Sequence, residues 1–178
     1  MVMHLPPPTT CSLQLVEDIV AERQNGINAT FFTSIKEAWL IRVQKYLDTG
    51  GEPNKVQRWP EVEPKRNSFL NLYKSPSDGA AQESILRQLR DHDLVLCPAC
   101  GEAGRPNTLD HYLPKGKYPH FCVTPHNLFP MCDACQKEKQ EKTGSIADPK
   151  FFVHPYFDVF VAENVIVLVI EPPFNMPT

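Results

Sequence analysis

Leu13, Val16, Ile19 and Val20 recur at the spacing that gathers side chains onto one helical face, which predicts a helix over residues 12–23. A stronger helix is predicted from Ser34. Ser34 with Glu37 three positions on makes a capping box, Ile35, Trp39, Val43, Tyr46 and Leu47 continue at helical spacing, and Gly50-Gly51 supplies the stop. Trp39 is expected in the core. Residues 52–78, rich in Pro, Asn, Ser and charge, read as a long connection holding one short helix from about Ser68 to Tyr73. A further helix is expected from about Ala80 to Leu89. The helical period then stops. Leu109 to Leu113, then Gly116 and Pro119 to Val123, read as a hairpin-like pair of extended segments joined through Pro114-Lys115-Gly116-Lys117. After Asn127-Leu128-Phe129-Pro130 a helix from near Asp133 is expected to run to about Lys142. Phe151-Phe152-Val153 and Val165 to Ile170 read as β-strands.

These elements describe an α+β protein: a mostly helical region over 1–92, a ββα unit over 93–145 and a β-containing extension over 146–178. Two strands do not form a stable sheet alone in water, so the last segment must pair with something else. The ending Pro172-Pro173-Phe174-Asn175-Met176-Pro177-Thr178 carries no helix stop or charged tail, and a fragment of a longer protein is expected.

At 178 residues and 42% hydrophobic content the chain has room for one ordinary domain or two small ones. No basic segment with an apolar core opens it, and the longest apolar run, Val165 to Ile170, is far short of the roughly 20 residues of a membrane span. A cytoplasmic protein without membrane contact is expected. A net charge of −3 and a pI near 6.1 argue against coating nucleic acid by bulk electrostatics. The charge is uneven, however: Lys115, Lys117, Lys137, Lys139 and Lys142 cluster late, after the acidic Glu17, Asp18, Glu61, Glu63, Asp91 and Asp93.

Of six cysteines, four form two Cys-x-x-Cys pairs, Cys97/Cys100 and Cys132/Cys135. A two-residue gap lets both sulfurs of a tight turn reach one metal, so a structural Zn²⁺ held by four thiolates is predicted. Cys11 and Cys122 are left for packing. Zinc ribbons without catalysis are common interaction modules, and that reading would prevail but for Asp110-His111 and Asn127 between the pairs.

The set Asp110-His111, Asn127 and Cys132-Asp-Ala-Cys135-Gln136-Lys-Glu-Lys139, spread over roughly residues 94–142, resembles the HNH or ββα-metal endonuclease family. The resemblance implies a catalytic Mg²⁺ or Mn²⁺ bound at Asp110, His111 as general base on water, Asn127 holding the loop, and Gln136 as a further metal ligand. The family more often has His or Asn at the position of Gln136, and glutamine offers the same amide oxygen on a longer arm. Lys115, Lys117 and Lys139 are the expected phosphate contacts. His120 and His126 are expected at the surface or in packing, and His154 of His-Pro-Tyr-Phe-Asp158 in a turn or strand start packed on the unit. Asp110 and His111 alternate across a strand, so a bulge or a strand end must bring them together.

Asp-His-Tyr-Leu-Pro-Lys and His-Pro-Tyr-Phe-Asp are also similar to the HNH subunits that bacterial anti-phage defence systems, such as Septu-type systems, pair with an ATPase. The expectation is therefore a metal-dependent DNA endonuclease working with a protein partner such as an ATPase subunit. A catalytically weak zinc module that binds nucleic acid or protein is the alternative.

Overall fold

The structure, a computed structural model, describes residues 3–144 and 150–163. Among these the chain forms five α-helices and one small antiparallel sheet: α1 (Ser12–Glu22), α2 (Ala29–Asp48), α3 (Arg66–Lys74), α4 (Ala81–Arg90), β1 (Thr108–His111), β2 (Leu128–Met131) and α5 (Asp133–Lys139). The α+β class expected from the sequence is thus observed.

Helix α1 buries Leu15, Val16, Ile19 and Val20. Helix α2 starts earlier than the capping box suggested, and Ser34 caps nothing: its hydroxyl donates back to Phe31 O at 2.8 Å. Burial decides the start. Phe32 lies in the core, so the turn that carries it is helical, and Trp39, Val43 and Tyr46 extend the same apolar stripe. The predicted stop holds, with Gly50 and Gly51 at φ 60° and 68° and Gly51 N donating to Tyr46 O at 2.8 Å. A Cβ on Gly51 would lie 2.7 Å from Tyr46 Cζ, so this glycine also makes room for the tyrosine.

The connection after α2 carries a 3₁₀ turn, Pro60–Lys65, that runs straight into α3, and it is anchored by the buried Val56, Trp59 and Val62. Phe32, Trp39 and Phe69 pack edge to face and stacked, with Trp39 and Phe69 centroids 5.0 Å apart. One apolar cluster continues from these helices through Leu109, Leu113, Phe121, Leu128 and Phe129 to Tyr156.

The sheet differs from the expected hairpin. β1 pairs with Leu128–Met131, in the register Thr108 to Met131 and His111 to Leu128, and not with residues 119–123. Proline explains the change. Pro114 and Pro119 cannot donate to a ladder, Lys117 N and Tyr118 N both turn back onto Pro114 O, and Pro119–Phe121 forms a 3₁₀ turn. All four residues of β2 are buried, which the short apolar run Leu-Phe-Pro-Met could have signalled. Helix α5 also ends sooner than expected, at Lys139, because Gln140 takes φ 46°.

Phe151–Val153 is not a strand. Residues 150–163 form turns laid on the ββα unit, with Tyr112 Oη donating to Phe152 O at 3.1 Å and Tyr156 Oη to Leu128 O at 2.7 Å. Asp158 closes the His154 turn by accepting from His154 N and from Lys150 Nζ, both at 2.6 Å. The second predicted strand, 165–170, lies outside the described residues. No helix among the described residues is long and apolar enough to cross a membrane.

Candidate metal centre and cleft

The cysteine site is built from two turns. Gly101, at φ 75°, follows the first pair and lets Gly101 N fold back to Cys97 O at 2.8 Å, while the second pair opens α5. The Sγ atoms of Cys97, Cys100, Cys132 and Cys135 all lie within 4.8 Å of one another, with Cys100 and Cys132 at 4.0 Å. Four sulfurs about 2.3 Å from one tetrahedral Zn²⁺ stand roughly 3.8 Å apart, so the group fits such an ion, and no pair is at disulfide distance. Backbone N–H groups already face the sulfurs: Cys132 N to Cys97 Sγ at 3.4 Å and Cys135 N to Cys132 Sγ at 3.5 Å. Burial opposes ionisation of Cys97, but N–H groups of Cys132, Cys100 and Ala99 outweigh it and bring the thiol down to about 7. This is a donor set ready to hold a metal. Of the other two cysteines, Cys122 packs in the core and donates to Phe69 O at 2.9 Å, whereas Cys11 is exposed ahead of α1.

Between the two turns, β1 ends at His111, and that strand end places Asp110 and His111 on one cleft despite their alternation. His111 is buried, and its Nε2 lies 2.9 Å from Cys122 O. A carbonyl only accepts, so Nε2 carries the ring proton and Nδ1 keeps its lone pair. Burial, then the Lys115 charge, lowers the His111 pKa to about 3, which keeps the ring neutral.

Asn127 fixes the loop that carries this acceptor. Its Oδ1 accepts from Leu113 N at 2.7 Å and from Tyr46 Oη at 3.2 Å, and its Nδ2 donates to Leu113 O and Phe121 O, each at 3.1 Å. Phe121 O is one residue from Cys122 O. The sequence did not reveal the next layer: Tyr46 Oη also meets His154 Nε2 at 2.9 Å, while His154 Nδ1 accepts from Tyr156 N at 3.2 Å. That acceptor role puts the His154 proton on Nε2, aimed at the Tyr46 oxygen. The helical region joins in from the far side. Trp39 Nε1 donates to His120 O at 2.7 Å, and Phe69 O holds the Cys122 thiol. His120 is buried against Trp59, with ring centroids 5.4 Å apart, and His126 is half-buried beside Ser12 Oγ at 2.9 Å.

Gln136, in the second turn of α5, brings its amide to Asp110. Gln136 Nε2 is 3.2 Å from Asp110 Oδ1, close to the roughly 3.0 Å between neighbouring oxygens around Mg²⁺ at about 2.1 Å. Turning the amide over would present Oε1 in place of Nε2, so Asp110 and Gln136 fit as two ligands of one hard cation. Lys139, one turn on, is not at the surface: it is 1% exposed, with Nζ 3.0 Å from Asp110 Oδ2 and 2.6 Å from His111 O. Helical spacing from Gln136 turns it inward beneath the strand. Lys115 lines the cleft with its ammonium 5.5 Å from the Tyr73 ring centroid, and Lys117 Nζ is held by Glu141 O at 2.5 Å. The cleft's far wall is α3, through Arg66, Leu70 and Lys74. Those three residues are four apart, a one-face spacing that was visible in the sequence but had no partner there.

Compared with known proteins, the chain is 37% identical over 62 residues to Protein ea31 of Escherichia phage lambda. The match takes in 35% of this chain and 21% of that protein, so the chain spans about a fifth of its length. No protein-family model matches the chain, and no solved structure matches it.

Proposed function

We propose that this chain is a metal-dependent DNA endonuclease of the HNH type, with a structural Zn²⁺ at the cysteine tetrad. The observation that carries the reading is the His111 ring, which lines the same cleft as Asp110 and Gln136 and whose Nε2 is tied to Cys122 O, so that Nδ1 is the nitrogen that keeps its lone pair. Asp110 and Gln136 would hold Mg²⁺ or Mn²⁺, which when bound neutralises charge on the phosphate and the leaving oxygen. His111 Nδ1 takes the proton from the attacking water. The negative phosphate beside it raises the affinity of the ring for that proton at the moment of attack. Asn127 and the Cys122 carbonyl hold the imidazole in its tautomer, and Lys139 orients Asp110 from below.

An acidic chain needs help to find DNA, and the net charge of −3 supports a partner subunit, such as the ATPase of an anti-phage complex, supplying most of the affinity. One observation favours the rival reading of a non-catalytic zinc module: the Lys139 ammonium already neutralises Asp110. Plasmid incubated with Mg²⁺ or Mn²⁺ separates the two. Wild type should nick or linearise it and His111→Ala should not, whereas equal cutting by both proteins, or by neither with the partner present, rejects the nuclease.

A further inference from the structure

We infer that α3 grips the substrate, with Arg66, supported by Lys74 and Lys115, binding a phosphate of the DNA backbone across the cleft from Asp110 and Gln136. The inference rests on the nuclease reading of that cleft and adds to it a binding wall outside the ββα unit. Three observations converge on it.

Arg66 Nε is buried and among the described residues has no hydrogen-bond partner, a state that buried donors rarely keep without a ligand or water to take the hydrogen. The rest of the guanidinium is only loosely engaged, with Nη1 3.4 Å from the exposed Glu63. Gly116 keeps the passage open beside it. A Cβ at Gly116 would lie 3.3 Å from Arg66 Nη2 and would overlap the Glu141 carboxylate, so a larger residue there would displace the Glu141 side chain and crowd the guanidinium. Finally, Lys74 and Lys115 line the same cleft, and among the described residues neither forms an ion pair. Asp110 is matched by Lys139, which leaves the Glu141 carboxylate facing three cations, and the lining is net positive.

A guanidinium presents Nε–H and Nη2–H side by side, a fork that fits two oxygens of one phosphate. Such a contact carries no base information, so the grip is indifferent to sequence.

The test uses the full chain, a short fluorescent DNA duplex and a salt series without divalent ions, followed by cleavage with Mn²⁺. Arg66→Gln should lower the slope of log affinity against log salt by about 0.9, the value of one phosphate contact, and slow cleavage about 10- to 100-fold. Arg66→Lys should keep the slope and recover only part of the rate. Arg87→Gln, on an exposed part of α4 away from the cleft, should change neither. If wild type cuts and Arg66→Gln matches it in slope and rate, the inference is wrong and the nuclease reading stands. If Arg66→Gln lowers the slope but wild type does not cut, the grip stands and the nuclease reading falls. If wild type neither binds nor cuts even with the partner subunit present, both fall.

Discussion

Asn127→Asp is nearly isosteric and isolates what the amide nitrogen does. Oδ1 keeps its bonds from Leu113 N and Tyr46 Oη, but the donor that served Leu113 O and Phe121 O becomes a second oxygen facing them. Asn127 is 0% exposed, so water cannot fill in. Phe121 O keeps its bond from Thr124 N at 3.2 Å, but Leu113 O loses its donor at about 1–3 kcal/mol, and the buried charge adds to that, for a total of about 3–5 kcal/mol at neutral pH. That is a large part of the roughly 5–15 kcal/mol by which domains are stable. The sign with pH follows from protonation. Burial against two carbonyls raises the pKa of the new carboxyl in the folded state, so lowering the pH returns a proton that can donate to one of them. Urea unfolding of wild type and Asn127→Asp, each at pH 7.5 and 5.5, should therefore show a difference in stability that shrinks at the lower pH. Asn107→Asp is the control, since Asn107 acts through Oδ1 on Asp133 N at an exposed helix start. A difference under about 1 kcal/mol, or one that does not change with pH, would refute the stapling argument.

Two other outcomes follow from the same geometry. Stripping metal with a chelator, or replacing Cys132 with Ser, should unfold the segment from Cys97 to Lys139 and lower the thermal midpoint sharply, because the bonds from one ion to both turns are what tie them together; calorimetry with and without Zn²⁺ checks this. Burial lowers the pKa of His120 to about 3 and of His154 to about 2. Their folded pKa values lie below the unfolded value near 6.5, so the stabilisation is complete above 6.5 and is lost as pH falls toward 3. Each should cost up to about 2 kcal/mol by pH 5, and denaturant midpoints measured from pH 7.5 to 5 should fall accordingly.

What could be read from the chain was what local chemistry fixes. The Cys-x-x-Cys pairs, the amphipathic stripes of α1 and α2 and the Gly50-Gly51 stop each depend on neighbours a few residues apart, and all appear where expected. The early start of α2 was hidden because Phe32 is helical through tertiary burial, which no cap signal reports. Likewise the choice of Leu128–Met131 as the partner of β1 depends on closing a long loop that Asn127 pins, and apolar patterning near residues 119–123 pointed to the wrong strand. Lys139 read as a phosphate contact because helical spacing alone does not show what lies beneath the helix. Arg66 and Lys74, far ahead in sequence, join the site through the packing of α3 on the Pro119–Phe121 turn and the bond from Tyr73 Oη to Leu109 O at 2.8 Å.

The central claim is that a hard cation at Asp110 and Gln136 lies against the unprotonated nitrogen of His111. Long-range ¹H–¹⁵N NMR of the histidine rings, followed through a Mn²⁺ titration, addresses it directly. His111 should show a proton on Nε2 and none on Nδ1, and Mn²⁺ should erase the Nδ1 signal in wild type but spare it in Asp110→Asn. A protonated Nδ1, or a His111 signal that survives saturating Mn²⁺ in wild type, would contradict the account.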